Sequence, residues 1–133
     1  MQPSCSPARY PDKGVRCMAW CSKPGACTGL VKSPNFPENY PTNQHLTFNL
    51  EVKAGSLVEL TFTSFDVEPN SSCQYDYVQV LDTDGSEIIK ACGTTKPSVI
   101  KSSGTKLTVI FHSDYRDVKK GFSASYRAVD GTA

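Results

Sequence analysis

The sequence has 133 residues, with 14 Lys+Arg against 13 Asp+Glu for a net charge of +1, and it holds 9 Gly, 9 Pro and 6 Cys. That length suits one compact domain with a modest extension, and the near-neutral balance gives no electrostatic footprint for a phosphate backbone, so nucleic acid is excluded as an expected partner. No stretch approaches the roughly 20 apolar residues that cross a bilayer, and Met1 is followed by Gln2-Pro3-Ser4-Cys5 in place of a charged and then apolar leader. The chain is therefore read as soluble, without membrane insertion, and any secretory leader as already removed or never included in this sequence.

In chain order, the first fifth carries Cys5, Cys17, Cys21 and Cys27 among Pro3, Pro7, Pro11, Pro24, Gly14 and Gly25, with no apolar periodicity. Such a segment needs covalent staples to hold a shape. An even cysteine count in a small Gly/Pro-rich chain fits disulfides formed in an oxidising, secreted environment. Zinc is the competing use of Cys17-x3-Cys21 and Cys27. It is disfavoured because the paired short knuckles of structural zinc sites are missing and the two histidines, His45 and His112, lie far along the chain on strand-like runs. The expected organisation is an irregular, disulfide-stapled extension over residues 1–26, a domain over 27–129 and a tail over 130–133.

Beyond the extension the pattern alternates with period two. Leu46, Phe48 and Leu50 share a face, as do Val58, Leu60 and Phe62, with Glu59, Thr61 and Thr63 opposite. Asp76, Val78 and Val80 follow, then Leu107, Val109 and Phe111, then Phe122, Ala124, Tyr126 and Ala128. Turn signals at Ala54-Gly55, Asp84-Gly85 and Ser103-Gly104, and a proline-rich stretch at Pro34, Pro37 and Pro41, separate the runs. About eight short strands and no 3.6-residue period predict an all-β antiparallel sandwich, jelly-roll-like rather than immunoglobulin-like.

The alternation has a chemical consequence. If Val78 and Val80 point inward, so does Asp76, while Glu68 and Asp114, with Asp117 close by, sit where strands give way to loops. Inward carboxylates are costly unless something positive or a set of N–H donors pairs with them. For any one of these acids alone, backbone N–H groups or a nearby lysine is the simplest partner.

At this point the residues match a family. Ser33-Pro34-Asn35-Phe36-Pro37-Glu38-Asn39-Tyr40-Pro41, Phe65-Asp66-Val67-Glu68, Cys73-Gln74-Tyr75-Asp76-Tyr77-Val78, Cys92-Gly93, Ser113-Asp114 and Lys120-Gly121-Phe122 together resemble a CUB domain from Cys27 to Val129. The resemblance implies a compact antiparallel β-sandwich. It also implies one Ca2+ at an end of the sandwich, held by Glu68, Asp76 and Asp114, with the backbone oxygen of Arg116 and the side chain of Asp117 as further ligands. Tyr40 is expected to orient a carboxylate through its hydroxyl. A hard cation of this kind wants six to eight oxygens. By the same resemblance the domain is a non-catalytic, secreted adhesive module that presents Tyr40, Glu68 and Asp114 to a Lys or Arg of a partner protein.

The resemblance further implies a Cys73–Cys92 bridge, closing a loop of about 20 residues for roughly 3 kcal/mol in the chain-entropy account. Many CUB domains carry a cysteine where this chain has Leu46, so Cys5, Cys17, Cys21 and Cys27 are expected to pair among themselves, in one of three connectivities. Asn70-Ser71-Ser72 fits an N-glycosylation sequon.

Catalysis is not expected. His112, Ser113 and Asp114 are strand neighbours that point to alternate faces and form no relay, and neither a Gly-x-Ser-x-Gly elbow nor a His-Glu-x-x-His helix occurs. The alternative readings are an accessory or targeting domain of a secreted protease, or a carbohydrate- or glycosaminoglycan-binding module using Lys119-Lys120 with Lys101, Lys106 and Arg116. Homo-association through the face carrying Tyr75, Tyr77 and Gln79 is a companion expectation.

Overall fold

The computed structural model describes residues 4–5, 14–19, 28–52 and 54–130. Among these, ten strands follow in chain order: β1 Ser4–Cys5, β2 Gly14–Ala19, β3 Thr28–Lys32, β4 His45–Val52, β5 Ser56–Asp66, β6 Tyr77–Leu81, β7 Glu87–Ala91, β8 Ile100–Lys101, β9 Lys106–His112 and β10 Gly121–Asp130. They form two five-stranded sheets, ordered β1-β3-β10-β5-β8 and β2-β4-β9-β6-β7. The predicted alternation becomes burial. Leu46, Phe48, Leu50, Val58, Leu60, Phe62, Val78, Val80, Leu107, Val109, Phe111, Phe122 and Tyr126 all face one core between the sheets, as expected for a sandwich whose strands are apolar on one side.

The main pairings are antiparallel, but β1 adds to β3 and β2 adds to β4 in parallel. Ser4–Cys5 and Gly14–Ala19 are thus extended strands inside a segment expected to be irregular. The physical reason is that β3 and β4 would otherwise end their sheets with unpaired N–H and C=O rows, which accept an extended segment whatever its apolar pattern. The pairing of Cys5, Cys17, Cys21 and Cys27 and the tail beyond residue 130 lie outside the described residues. Strands β7 and β8 were not legible because they are sheet edges. Glu87, Ile88 and Lys90 are all exposed, so nothing imposes an alternation there.

One departure from strict alternation is resolved by the pairing. Phe62 and Phe65 both point inward although they are three apart. Along β10, Ser123 pairs with Ser64 and Ala124 pairs with Phe62, so Thr63 is an extra residue. This is a β-bulge, and the Thr63 hydroxyl donates to the Ser123 carbonyl at 3.1 Å.

Three connections gather at one end. His45, Tyr77 and His112 stand side by side at the end of one sheet, and Lys32, Asp66 and Gly121 mark the corresponding ends in the other. The loops 33–44, 67–76 and 113–120 each cross here from sheet to sheet, so they meet over the end of the core. The Cys73–Cys92 disulfide, with Cα atoms 5.6 Å apart, ties the middle loop to the end of β7. The bridge between Val67 and Gly93, with N–O distances of 3.0 and 2.8 Å, reinforces that tie.

Gly121 opens β10 with a φ of 91°, and a Cβ there would collide with the Ser33 Oγ that accepts the Phe122 N–H at 3.0 Å. Gly55 has a similar φ of 89° but open space around it. Gly55→Ala should therefore cost only the backbone strain, about 1 kcal/mol, and Gly121→Ala about 3 kcal/mol or more. Urea unfolding of the two variants checks this, and equal losses would contradict the packing argument.

Candidate metal centre

The site is built on one buried carboxylate. Asp76 immediately precedes β6, and the alternation that turns Val80 and Val78 inward turns Asp76 inward too, leaving it 0% exposed. The Tyr40 hydroxyl donates to its Oδ2 at 2.6 Å, and the backbone N–H of Asp114 donates to its Oδ1 at 2.8 Å. Charge-assisted bonds of this kind make a buried carboxylate tolerable. Tyr40 is 1% exposed. Its ring packs edge-on against Phe111 with centroids 4.9 Å apart, its backbone N–H donates to the Lys119 carbonyl at 3.0 Å, and its hydroxyl oxygen accepts the Glu68 N–H at 3.2 Å. Tyr40 therefore links all three crossing loops, its phenol bonding loop 67–76 and its backbone N–H bonding loop 113–120. At 1% exposed, Tyr40 keeps almost none of its surface available for the expected partner contact.

Glu68 and Asp114, both half-buried, complete the group. One carboxylate oxygen from each of Glu68, Asp76 and Asp114 lies within 4.8 Å of the others. Oε1 of Glu68 is buried with no hydrogen-bond partner among the described residues, and Oδ1 of Asp114 accepts the Arg116 N–H at 3.1 Å. Asp117 is exposed beside them. A cavity of about 470 Å3, lined by Glu68, Tyr75, Asp114, Tyr115, Arg116 and Asp117, opens the cluster to solvent. Three carboxylates aimed at one point, one with an orphaned oxygen, fit a hard divalent cation and its all-oxygen preference.

The electrostatics point the same way. Burial first, then repulsion from Asp76, Asp114 and Asp117, pushes the Glu68 carboxyl above its ordinary value. Burial pushes Asp76 up as well, against the lowering bonds from Tyr40 and the Asp114 N–H. Burial and the bond to Asp76 raise the Tyr40 phenol. Two turn acids behave oppositely. Asp82 is held below its ordinary value chiefly by the Ser103 N–H, at 2.8 Å, and Asp84 is held down by Ser86. Turn acids are satisfied by donors, whereas the cluster is short of positive charge.

Tyr75 and Tyr115, 48% and 74% exposed, line the cavity and were not expected as site residues. The signal was their position, each directly beside a carboxylate whose own side chain turns toward the cluster. Asn70 sits on the neighbouring loop, where its Oδ1 accepts the N–H groups of Ser72 and Gln74 at 3.1 and 3.2 Å. The five basic residues considered as one patch are divided. Lys101 and Lys106 belong to the far end, where Lys101 stands opposite Glu59 and Lys106 opposite Glu51 in the strand register. Arg116, Lys119 and Lys120 lie past the other end of β9, about 20 Å away along a seven-residue strand. On the outer face, Tyr77 is covered by His112, stacked at 4.9 Å, and by the Lys90 ammonium 4.3 Å from its ring centre. Gln79 bonds Glu87 at 2.7 Å.

A β-sandwich with a disulfide-pinned acidic end defines the class, and comparison with known proteins settles the family. The CUB domain family model matches residues 22–126, and the chain belongs to that family. It is 41% identical over 103 residues to blastula protease 10 of Paracentrotus lividus, an alignment covering 77% of this chain but only 17% of that protein. The full extracellular region of zebrafish Gpr126/Adgrg6 superposes with a TM-score of 0.74 at 33% identity, covering 85% of this chain and 14% of the other. The MASP-1 CUB2 domain, solved bound to Ca2+, gives a TM-score of 0.70 at 28% identity over 75% of this chain and 91% of that domain. CUB domains are non-catalytic interaction modules of extracellular proteins, proteases among them. Among the described residues no helix is long and apolar enough to cross a membrane.

The raised carboxyls give a signed pH dependence. An acid whose folded pKa exceeds its unfolded value weakens the fold as pH rises through that interval, and the deficit persists above it. Without cation, Glu68→Gln should therefore stabilise the chain at neutral pH, with the advantage fading as acidification approaches Glu68's ordinary value of 4.5 and gone below it. Thermal melts in chelator across that range check it. A destabilised neutral-pH variant would contradict the repulsion described.

Proposed function

We propose that this chain is a Ca2+-dependent extracellular protein-recognition module. The observation that carries the reading is the convergence of Glu68, Asp76 and Asp114 within 4.8 Å, with Oε1 of Glu68 buried and unpartnered. Asp76 and Asp114 would hold the ion with Glu68, and Arg116 and Asp117, which line the same cavity, would supply a backbone carbonyl and a carboxylate as further oxygens. A bound Ca2+ supplies positive charge that orders the acids and offsets their repulsion. Tyr40 keeps Asp76 in one orientation, so the loops 67–76 and 113–120 share a fixed geometry.

The partner is a protein with an exposed Lys or Arg. Glu68 and Asp114 reach the open cavity, and each has more acceptor capacity than a single ion uses. Tyr75 and Tyr115 offer ring faces to the aliphatic stem and the cationic head. The ammonium of lysine is a compact charge suited to so small a negative spot. A glycan on Asn70 would narrow the approach from one side.

Membership of a secreted protease is the second reading. The likeness to blastula protease 10 favours it, with this chain corresponding to 17% of that protein's length. The two readings are compatible, since the module would then place a protease on its substrate or scaffold.

Calorimetric titration should show one Ca2+ per chain. Glu68→Ala, Asp76→Asn and Asp114→Ala should each weaken it by about tenfold to a hundredfold or more. Binding to an immobilised lysine-bearing protein ligand should fall to background in EDTA, and unchanged binding there would overturn the recognition mechanism even if the ion binds.

A further inference from the structure

The histidines, 67 positions apart and set aside when zinc was weighed against disulfides, are neighbours in the fold. His45 opens β4 and His112 closes β9, and the two are direct antiparallel partners, so their side chains leave the same outer face of the sheet. Their rings touch edge to face with centroids 5.8 Å apart. The Nδ1 of His112 lies 2.8 Å from the backbone carbonyl of Tyr75. A carbonyl only accepts, so Nδ1 carries the hydrogen and the lone pair of the neutral ring is on Nε2. Stacking on Tyr77, 4.9 Å away and 12° from parallel, fixes the plane of that ring. A backbone carbonyl that fixes the tautomer of an imidazole is the support that metal-bound histidines ordinarily have. His45 is exposed, and among the described residues its side chain has no hydrogen-bond partner, so its ring is free to turn toward its neighbour.

We propose that His45 and His112 form a second cation site, distinct from the acidic cluster, that chelates a borderline transition-metal dication such as Zn2+ or Cu2+ through its ring nitrogens. Imidazole is the ligand these ions prefer, with bonds of about 2.0–2.1 Å to zinc, whereas Ca2+ prefers carboxylate and carbonyl oxygen. Two protein ligands leave the remaining positions to water. The inference does not depend on calcium binding. The sites are nonetheless adjacent in the chain, because the carbonyl that steadies His112 belongs to Tyr75, next to Asp76.

The test is a Zn2+ titration of the folded chain in excess Ca2+, followed through the imidazole nitrogen resonances. One Zn2+ should shift the Nε2 signals of both histidines while His112 Nδ1 stays protonated. His45→Gln and His112→Gln should each weaken uptake at least about tenfold, and Glu68→Gln should leave it unchanged. Because the His45 side chain makes no hydrogen bond among the described residues, His45→Gln should melt like the parent and serves as the control if His112→Gln misfolds. Zinc uptake that both histidine variants retain, uptake lost on Glu68→Gln, loss on only one histidine variant that is itself folded, or no imidazole shift at millimolar Zn2+ would each overturn the proposal.

Discussion

The organisation of the functional end rests on a carboxylate that the fold has taken out of water. Asp76 is carried inward by the same alternation that buries Val78 and Val80, and nothing of it is exposed. An isolated charge in that position costs several kcal/mol, and the structure offsets this with the Tyr40 hydroxyl on one oxygen and the Asp114 N–H on the other. Hydrogen bonds to charged groups contribute about 1.5–3 kcal/mol each, and here they also set geometry. The Asp114 bond fixes the start of loop 113–120, and the Tyr40 bond fixes loop 33–44 against the Phe111 ring. The same phenol oxygen accepts from Glu68, so the second acid of the cluster is held by the partner of the first.

This arrangement leaves an electrostatic imbalance. The donors satisfy Asp76, but Glu68 has a buried oxygen without a partner, and it faces Asp114 and Asp117 across the cavity. A fold that spends its donors on the innermost acid and leaves Glu68 pushed above its ordinary value by burial and its acidic neighbours is poised for a cation. Asp82 and Asp84, each capped by N–H or hydroxyl donors in a turn, show what acids look like where only structure is served. The near-equal totals of acidic and basic residues conceal this local excess. Arg116, Lys119 and Lys120 follow in the same loop, yet none of them forms an ion pair with the cluster among the described residues.

Much of the sandwich was legible because a half-buried sheet imposes period two on its sequence. Leu46 to Leu50, Val58 to Phe62 and Leu107 to Phe111 announced their faces directly. The bulge at Thr63 was implicit in the odd spacing between Phe62 and Phe65, but only the β10 register shows which residue is extra. The edges were illegible for the opposite reason, since β2, β7 and β8 are held by backbone pairing that any side chains permit. At the site, the inward position of Asp76 followed from alternation, while Glu68 and Asp114 sit on loops, where no period operates and the family pattern was needed to connect them. The burial of Tyr40, expected both to orient a carboxylate and to meet a partner, was not legible, because sequence gives no measure of how deep a loop residue sinks. The His45–His112 contact was invisible for a related reason, since it depends on which strands are neighbours.

The sandwich therefore acts as a frame that brings three sheet-crossing loops to one end and lets the core hold them from beneath. Crystals of the chain grown with millimolar Ca2+ test the central claim most directly. The account predicts one ion between Glu68, Asp76 and Asp114, bonded to an oxygen of each at about 2.3–2.6 Å, with Tyr40 still donating to Asp76. A cluster holding only water under those conditions, or one closed by a lysine or arginine of the same chain, would contradict it.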